Sequence, residues 1–508
     1  MNKSKSPLGS LAAVLLVCAP AAAQQYAMRD FLNLSIEELS TIKISSVSKQ
    51  EESLSDAPAS IYVITRNDIH NSGATTIPEV LRLAPNLSVA RRSATEYAIS
   101  ARGFNNAIGN KLLVLIDGRT VYTPLFSGVF WAQQDIMLED IDRIEVISGP
   151  GAALWGANAV NGVINIITRP ADETQGNLLT EYGGNFERGA ALRHGGAIGE
   201  NGYYRAYIKG MQIDETLRTD GLDVTDAFTR EQAGFRLDWK GNRDTVTVQG
   251  DHYYGESDDR GTISIFELGR EEVSGANLLA RWNRRYDDDS DLQMQTYWDH
   301  TKRRDFFLFE PDANIYDFEF QYGKPVDSHK ILVGGGYRHS RDKVGPGFPS
   351  VFVPEKRSLD WSNLFIQDEI RLTENVEATL GIKLESNDFT GVEYMPSARL
   401  AWKLSDKTLL WTSVSRAIRA PSRFDSDVFV FAFSPIVIIG GGPNFESEVS
   451  DVFELGYRAQ ASDVFTYSIT GFYHEWDKLR TGETDFTAPI PLLEFENKID
   501  GPVYGGEA

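Results

Sequence analysis

From about residue 175 onward, apolar and polar residues alternate through stretch after stretch, and this period of two constrains the fold more than anything else in the 508 residues. In 291–299, Leu292, Met294, Thr296 and Trp298 share one face, opposite Asp291, Gln293, Gln295, Tyr297 and Asp299. In 397–404, Ala398, Leu400, Trp402 and Leu404 oppose Ser397, Arg399 and Lys403. In 465–474, Phe465, Tyr467, Ile469 and Tyr473 oppose Thr466, Ser468, Thr470 and His474. One apolar face at period two is the pattern of a strand whose two sides meet unlike surroundings. Turn formers such as Gly241-Asn242, Asp287 to Ser290 and Ser405-Asp406 separate the strands. On the usual strand and turn spacing of barrels, about fifteen or sixteen strands fit. A β-sandwich also alternates, but it does not usually need so many strands in one run. A membrane barrel does, and the aromatics near many strand ends suit an interfacial girdle.

Residues 45–170 are different, mixing helix and strand signals in a length that suits one domain. Thr65-Arg66-Asn67-Asp68 reads as a helix start, and Thr76-Ile77-Pro78-Glu79 as a capping box whose helix Pro85 stops. Lys111–Asp117 is a continuous apolar run of strand length, which predicts burial on both faces. Gly118 and Arg119 then turn it into a second strand at Thr120–Thr123. Residues 141–169 read as two short strands, Ile144–Gly149 and Val163–Ile167, around a turn in which Gly149, Pro150, Gly151 and Gly156 let the backbone bend where side chains would clash.

The N-terminus reads as an export signal over residues 1–23, with Lys3 and Lys5 ahead of the short apolar run Leu11–Val17 and small residues at Ala21-Ala22-Ala23. That run is too short to span a bilayer as a helix. Cys18, the only cysteine, follows Val17 rather than the small residue a lipoprotein signal requires. Cleavage after Ala23 leaves no disulfide and no thiol chemistry. No other stretch approaches the length of a spanning helix, so composition alone would also fit a soluble secreted protein. The net charge of −22 argues against nucleic acid, whose phosphates it would repel.

The block Ile141-Asp142-Arg143-Ile144-Glu145-Val146-Ile147-Ser148-Gly149-Pro150-Gly151, with its continuation to Arg169, resembles the second half of the plug domain of TonB-dependent outer-membrane receptors. Ile99-Ser100-Ala101-Arg102-Gly103-Phe104, Ile116-Asp117-Gly118-Arg119, Asp56–Ile64 and Leu81–Leu87 are similar to that family's earlier plug signatures. Ser413–Ser422 and Glu454–Arg458 resemble barrel motifs. The resemblance implies an α+β plug domain (45–170) followed by an antiparallel transmembrane β-barrel (175–508) of the 22-stranded type. Fewer strands fit here and no aromatic residue ends the sequence, so the barrel is expected to be incomplete: a gene fragment, a premature stop or a truncated chain. An open barrel would leave unpaired edges in lipid.

The same resemblance implies specific residues. Family plug arginines pair with barrel glutamates: Arg102 matches one such arginine, Ser148 stands where the second is usual, and Glu448, Glu454 and Glu507 are the candidate partners. The plainer alternative is a solvated salt bridge worth under about 1 kcal/mol. In the N-terminal lead (24–44), Thr41-Ile42-Lys43-Ile44-Ser45 corresponds by position to the segment that adds as a strand to the energising protein TonB. Its alternation suits β-augmentation, although it lacks the usual acidic residue ahead of Thr41; an ordinary linker is the alternative. The 17 residues from Gln24 to Ser40 are too few for an N-terminal signalling domain. The ligand is expected at the apical plug loops, Phe104 with Asn105 and Asn106, and Tyr122, Phe126, Phe130 and Trp131. These aromatics either stack on a planar ligand or pack within the protein. The apolar stretch Val428–Ile439 with Gly440–Gly442 resembles a binding or lid loop.

Enzyme chemistry finds no support. Gly149-Pro150-Gly151 does not complete a dinucleotide fingerprint, the seven histidines are scattered without zinc spacing, and there is no nucleophile elbow. No cofactor and no resident metal are expected. The resemblance implies a monomeric importer in the Gram-negative outer membrane, in contact with its lipid and driven through TonB. It would take up a scarce bulky ligand, first a ferric siderophore, with cobalamin, haem or a carbohydrate open. The alternative of a different class is a surface binding protein without transport: an adhesin, or a phage or colicin receptor.

Overall fold

The computed structural model describes residues 43–508 apart from 107, 185, 259–261, 264–265, 268, 306–308, 348–349, 434–435, 463–464 and 487–491. The export signal, most of the lead, and Thr41 and Ile42 lie outside the described residues. The first unit contains β1 (Lys43–Ile44), β2 (Glu52–Ser53), β3 (Ser60–Thr65), α1 (Arg66–Ser72), α2 (Ile77–Leu81), β4 (Ser88–Arg91), β5 (Tyr97–Ser100), β6 (Leu112–Ile116), β7 (Arg119–Thr120), β8 (Ile141–Ser148), α3 (Ala152–Trp155) and β9 (Gly162–Thr168). One sheet runs in the order β3-β8-β9-β6-β7, with β6 and β9 parallel.

The apolar run at 111–117 becomes β6, buried on both faces for two different reasons. Leu112, Val114 and Ile116 pack with Ile69, Val80 and Leu81 of the helices. Leu113 and Leu115 pack on the opposite face against Ile44, Val47 and Ala57, so the N-terminal segment serves as the second layer. α1 starts as expected, with a capping box between Thr65 and Asp68. α2 does not: the Thr76 side chain makes no cap, and Glu79 instead accepts from Arg82 Nε at 2.6 Å and Tyr97 OH at 2.9 Å. The helix ends at Leu81, ahead of Pro85. β7 stops at Thr120, short of the expected Thr123, and the glycine-rich turn contains the short helix α3.

The remaining strands are β10 (Gly176–Gly183), β11 (Glu187–Ile198), β12 (Gly202–Ile213), β13 (Phe228–Lys240), β14 (Asp244–Ser257), β15 (Thr262–Ile263), β16 (Phe266–Glu267), β17 (Glu271–Arg285), β18 (Asp291–Asp305), β19 (Phe309–Val326), β20 (His329–Pro346), β21 (Ser350–Phe352), β22 (Lys356–Arg371), β23 (Val376–Asn387), β24 (Gly391–Ser405), β25 (Thr408–Arg419), β26 (Val428–Phe433), β27 (Ile436–Gly440), β28 (Glu448–Ser462), β29 (Phe465–Asp485) and β30 (Leu492–Glu507), with the short helix α4 (Arg423–Ser426) after β25. All but β15 and β16 form a 19-stranded sheet. The short β21, β26 and β27 extend it at one end, and the rest are the long strands that the spacing predicts. Every pairing is antiparallel except β27 with β30. Among the described residues β10 and β30 are the two edges. Connections at one end are short, as at 199–201, 241–243, 327–328 and 406–407; at the other they lengthen, as at 214–227 and 420–447.

The faces are inverted relative to an aqueous globule. Gln295, Asp299, Arg193, Thr470 and His474 are buried against the first unit. Leu179 and Val392, on the outer face, are each 71% exposed, and Leu400, Trp402 and Ile469 are exposed with them. Polar side chains inward and apolar side chains outward is the arrangement of a membrane barrel wall around a plug. Among the described residues, no helix is long and apolar enough to cross a membrane.

Candidate functional site

After β5 the chain turns through Arg102, Gly103 and Phe104 at φ of 51°, 93° and 58°. A left-handed run is uncommon for residues with side chains, and it directs Arg102 into the wall. Its Nη1 lies 2.8 Å from Glu454 Oε1, and its Nε and Nη2 donate to the two oxygens of Glu507 at 2.9 and 3.2 Å. The Phe472 ring stands 4.3 Å from the guanidinium carbon, and His474 Nε2 is 3.2 Å from Nη1. The Arg102 side chain is 1% exposed, so a solvated surface pair does not describe it. Gly149 abuts the cluster so closely that an added Cβ would lie 2.4 Å from Glu454 Oε1.

Glu448 does not meet Arg102, which corrects its expected grouping. It pairs with Lys111, at the head of β6, and accepts from Arg419 Nε at 2.8 Å. Burial pulls the Lys111 ammonium down to about 8 against the attraction of Glu448. Sequence reasoning missed Lys111; the available signal was a lysine opening an otherwise apolar strand. Ser148, at the position of the missing second arginine, accepts from Asn86 within the plug at 2.9 Å. On the β11–β18 wall the plug has further ion pairs that sequence reasoning also missed. Asp140 meets Arg193 and Arg205, Asp135 lies 2.7 Å from Lys209, and Arg119 lies 2.6 Å from Asp299. Burial works against the Asp117 carboxylate, but Arg236 and hydrogen bonds from Thr168 and Gln249 hold its pKa below the usual value.

The N-terminal segment sits at the short-turn end. β1 pairs with β2, matching Lys43 to Ser53 and Ile44 to Glu52. Ile44 is fully buried, and the backbone N–H groups of Ser45 and Ser46 donate to Glu145 at 3.1 and 2.8 Å. Of the expected TonB-contact residues only Lys43 is exposed among those described. Arg458 donates to the carbonyls of Leu54, Ala57 and Ala59 at 2.6, 3.0 and 2.8 Å, fixing the chain that follows. Burial raises the Glu52 carboxyl to about 7, with Glu369 adding to the rise and Ser48, Arg399 and Lys330 opposing it.

At the long-loop end, Asn105 and Asn106 are exposed, with Phe104 half-buried beside Trp476 at 5.1 Å. The aromatics of 122–131 pack within the protein, the second of the two expectations, with Phe126 buried and Tyr122, Phe130 and Trp131 half-buried. Phe126 is buried with Leu125, Val344, Phe352 and Val428, and it meets Phe130 edge-on at 4.9 Å. Tyr122 accepts from Arg338 at 2.9 Å deep beside the wall, and Trp131 packs on the plug core. The apolar stretch 428–440 is a pair of strands, β26 and β27, joined to β21 and β30.

Two family models match the chain: the TonB-dependent receptor plug domain over residues 53–163, and the TonB dependent receptor-like β-barrel over 165–488. A vitamin B12 transporter BtuB of Vibrio cholerae serotype O1 is 32% identical over 456 residues, covering 84% of this chain and 69% of that protein. The crystal structure of the siderophore receptor PirA from Pseudomonas aeruginosa superposes with a TM-score of 0.70 at 19% identity, covering 88% of this chain and 80% of that one. A mutant of the ferric enterobactin receptor PfeA from the same organism, in complex with enterobactin, gives 0.73 at 17% identity over 89% and 78%.

Proposed function

The chain belongs to the TonB-dependent outer-membrane receptors, and from that premise we propose that it is an energy-coupled importer whose cargo is a scarce bulky ligand, first of all a ferric siderophore. The observation that supports coupling is the separation of two ends across one plug. Lys43–Ser45 lie at the short-turn end, while Asn105 and Asn106 are exposed at the other, with the Arg102 ion pairs between them. Among the described residues β2 is the only strand partner of β1, and backbone pairing with a strand of TonB is the proposed mode of contact. Thr41–Ser45 are the proposed contact. Arg102 with Glu454 and Glu507, and Lys111 with Glu448, hold the plug in the wall. Export by residues 1–23 and cleavage after Ala23 belong to the same proposal.

The solved relatives named for a siderophore and for ferric enterobactin favour an iron chelate; the 32%-identical relative named for vitamin B12 makes cobalamin the second choice. The test uses ferric enterobactin and cyanocobalamin as probes, with the receptor expressed in outer membranes. Deleting Thr41–Ser45 should abolish uptake of the bound probe and leave its binding unchanged. Loss of binding together with uptake would overturn the coupling role. Binding of cyanocobalamin alone would replace the siderophore, and binding without any TonB-dependent uptake would make the protein a surface receptor.

A further inference from the structure

The outer face of the wall carries a groove of about 460 Å³, with Phe318, Tyr337, Ser362, Leu364, Ser386 and Val392 among its lining. That volume is within the roughly 300–1,000 Å³ of small-molecule sites. The strand register places it. Phe318, Tyr337, Ser362, Ser386 and Val392 sit side by side across β19, β20, β22, β23 and β24. Ser362 and Ser386 are short where their neighbours are bulky, so the row sinks between Tyr337 and Val392. One row toward the short-turn end, Phe320, Gly335, Leu364 and Leu384 are matched. There Leu364 and Phe320 lean over Gly335, where an added Cβ would lie 2.7 and 3.3 Å from their side chains. Leu364 and Val392 are 64% and 71% exposed, an apolar surface that calls for an apolar neighbour.

The groove lies where the outer face changes character. Toward the short-turn end follow Val333, Ile366 and Ile382, matched across β20, β22 and β23. Toward the long-loop end follow His339, Asp360 and Asp388, with Tyr316 beside His339. Apolar residues on one side, and tyrosine and charged residues on the other, mark the boundary between acyl chains and headgroups. Asp360 accepts from the Tyr337 hydroxyl and from His339 Nδ1, the latter at 2.7 Å, and Arg341 Nε donates to His339 Nε2 at 2.9 Å. Next along, Lys343 and Lys356 face each other across β20 and β22. Like charges so placed repel, and Glu355 answers Lys343 at 3.2 Å. Among the described residues neither Arg341 nor Lys356 has a carboxylate in ion-pair contact.

We infer that this face binds one membrane lipid with a phosphate-monoester head, its phosphate on Arg341, Lys343 and Lys356 and one acyl chain in the groove. The charges select the head. Arg341 and Lys356 both lack a carboxylate partner among the described residues. A monoester brings about 1.5–2 negative charges at neutral pH, whereas a diester brings about one. Arg341 is held through Nε by His339, which leaves Nη1 and Nη2 for two phosphate oxygens. The spacing suits the tail. Arg341 to Tyr337 and Lys356 to Ser362 span about 13–20 Å along the strands, against about 15 Å for the acyl layer of one leaflet. Seated there, the lipid touches five neighbouring strands and braces the wall from outside. The site faces away from the plug, so the inference depends on neither the cargo nor the coupling proposed above.

Lipid A is the phosphate-monoester probe; lipid A stripped of phosphate and phosphatidylglycerol, a diester, are its controls. The receptor is purified in detergent, freed of co-purifying lipid and mixed with each, and the lipid retained per receptor is counted by native mass spectrometry. One lipid A should be retained, and either control should be held about tenfold more weakly. Arg341→Gln with Lys356→Gln should lower lipid A retention to the level of the stripped lipid. Ser362→Leu with Ser386→Leu, which fills the groove, should lower it as far, while Ala398→Leu, on the outer face of β24 beyond the groove, should not. Apolar substitutions suit a lipid-facing surface, and an unchanged far-ultraviolet signal confirms the wall in each variant. Phosphatidylglycerol held as tightly as lipid A would show that a monoester is not selected. Loss through the cations alone would mean a headgroup contact without a seated chain, and no loss in any variant would mean unselective lipid around the wall. Each of these overturns the proposal.

Discussion

Arg102 and Glu507 stand 405 positions apart in the chain, yet the guanidinium Nε of one donates to Oε1 of the other at 2.9 Å. The second oxygen of Glu507 accepts from the hydroxyl of Ser60 at 2.7 Å. β30 is thereby tied to two separate parts of the plug.

Removing that cation should be costly. Arg102→Met leaves Glu454 and Glu507 facing each other without compensation, and breaking a buried pair from one side costs about 3–5 kcal/mol. The 17% exposure of the Glu507 side chain favours the lower end. Urea unfolding followed by tryptophan fluorescence should show the plug losing structure early, with the far-ultraviolet signal of the wall retained. Adding Glu454→Gln should recover part of the loss.

Lys111→Met should be milder, at about 1–2 kcal/mol. Glu448 keeps Arg419 at 2.8 Å and the Arg480 N–H at 2.9 Å, so its charge stays paired. A loss equal to that of Arg102→Met in the same urea experiment would contradict this ranking.

Gly149→Ala should loosen the same cluster by about 1–3 kcal/mol. The backbone there is at φ 96°, and the added methyl would meet Glu454 Oε1 at 2.4 Å and Arg102 Nη1 at 2.8 Å. Faster protease cutting of the plug, with an unchanged wall, is the expected readout.

Docking of the N-terminal strand should weaken as pH rises. The Glu52 carboxyl, at about 7 when docked, returns toward 4.5 when the segment is free. The docked state therefore holds the extra proton: its advantage is complete below about 4.5 and is lost as pH rises through about 7. A spin label at Lys43→Cys should be more mobile at pH 8 than at pH 5.5, and Glu52→Gln should flatten the difference. Equal mobility in the parent at both values would contradict the assignment.

Much of the wall was legible from period two alone, because a strand between lipid and a polar lumen must alternate. Leu400, Trp402 and Ile469 face outward and Arg399 and Thr470 inward as the pattern requires. β6 was legible for the same reason, as a run with no polar side. Arg102 was marked through its motif and Lys111 only by its place at the head of an apolar strand, while nothing local to Asp140 distinguishes it from an ordinary surface charge. The aromatics of 122–131 stayed open between ligand contact and packing because a sequence reports an aromatic's size and polarity, not which side of a loop it occupies.

By itself, then, the sequence determined the two-part architecture, the strand faces and the family, all of which rest on local periodicity, turn chemistry and contiguous motifs. Only the tertiary structure decided which carboxylate each buried cation meets and that Phe126 and Tyr122 are packed against their neighbours. Those facts depend on how the wall curves around the plug. Pairs such as Arg102 and Glu507 are juxtaposed by the cumulative register of every strand between them, and no window of sequence contains that sum.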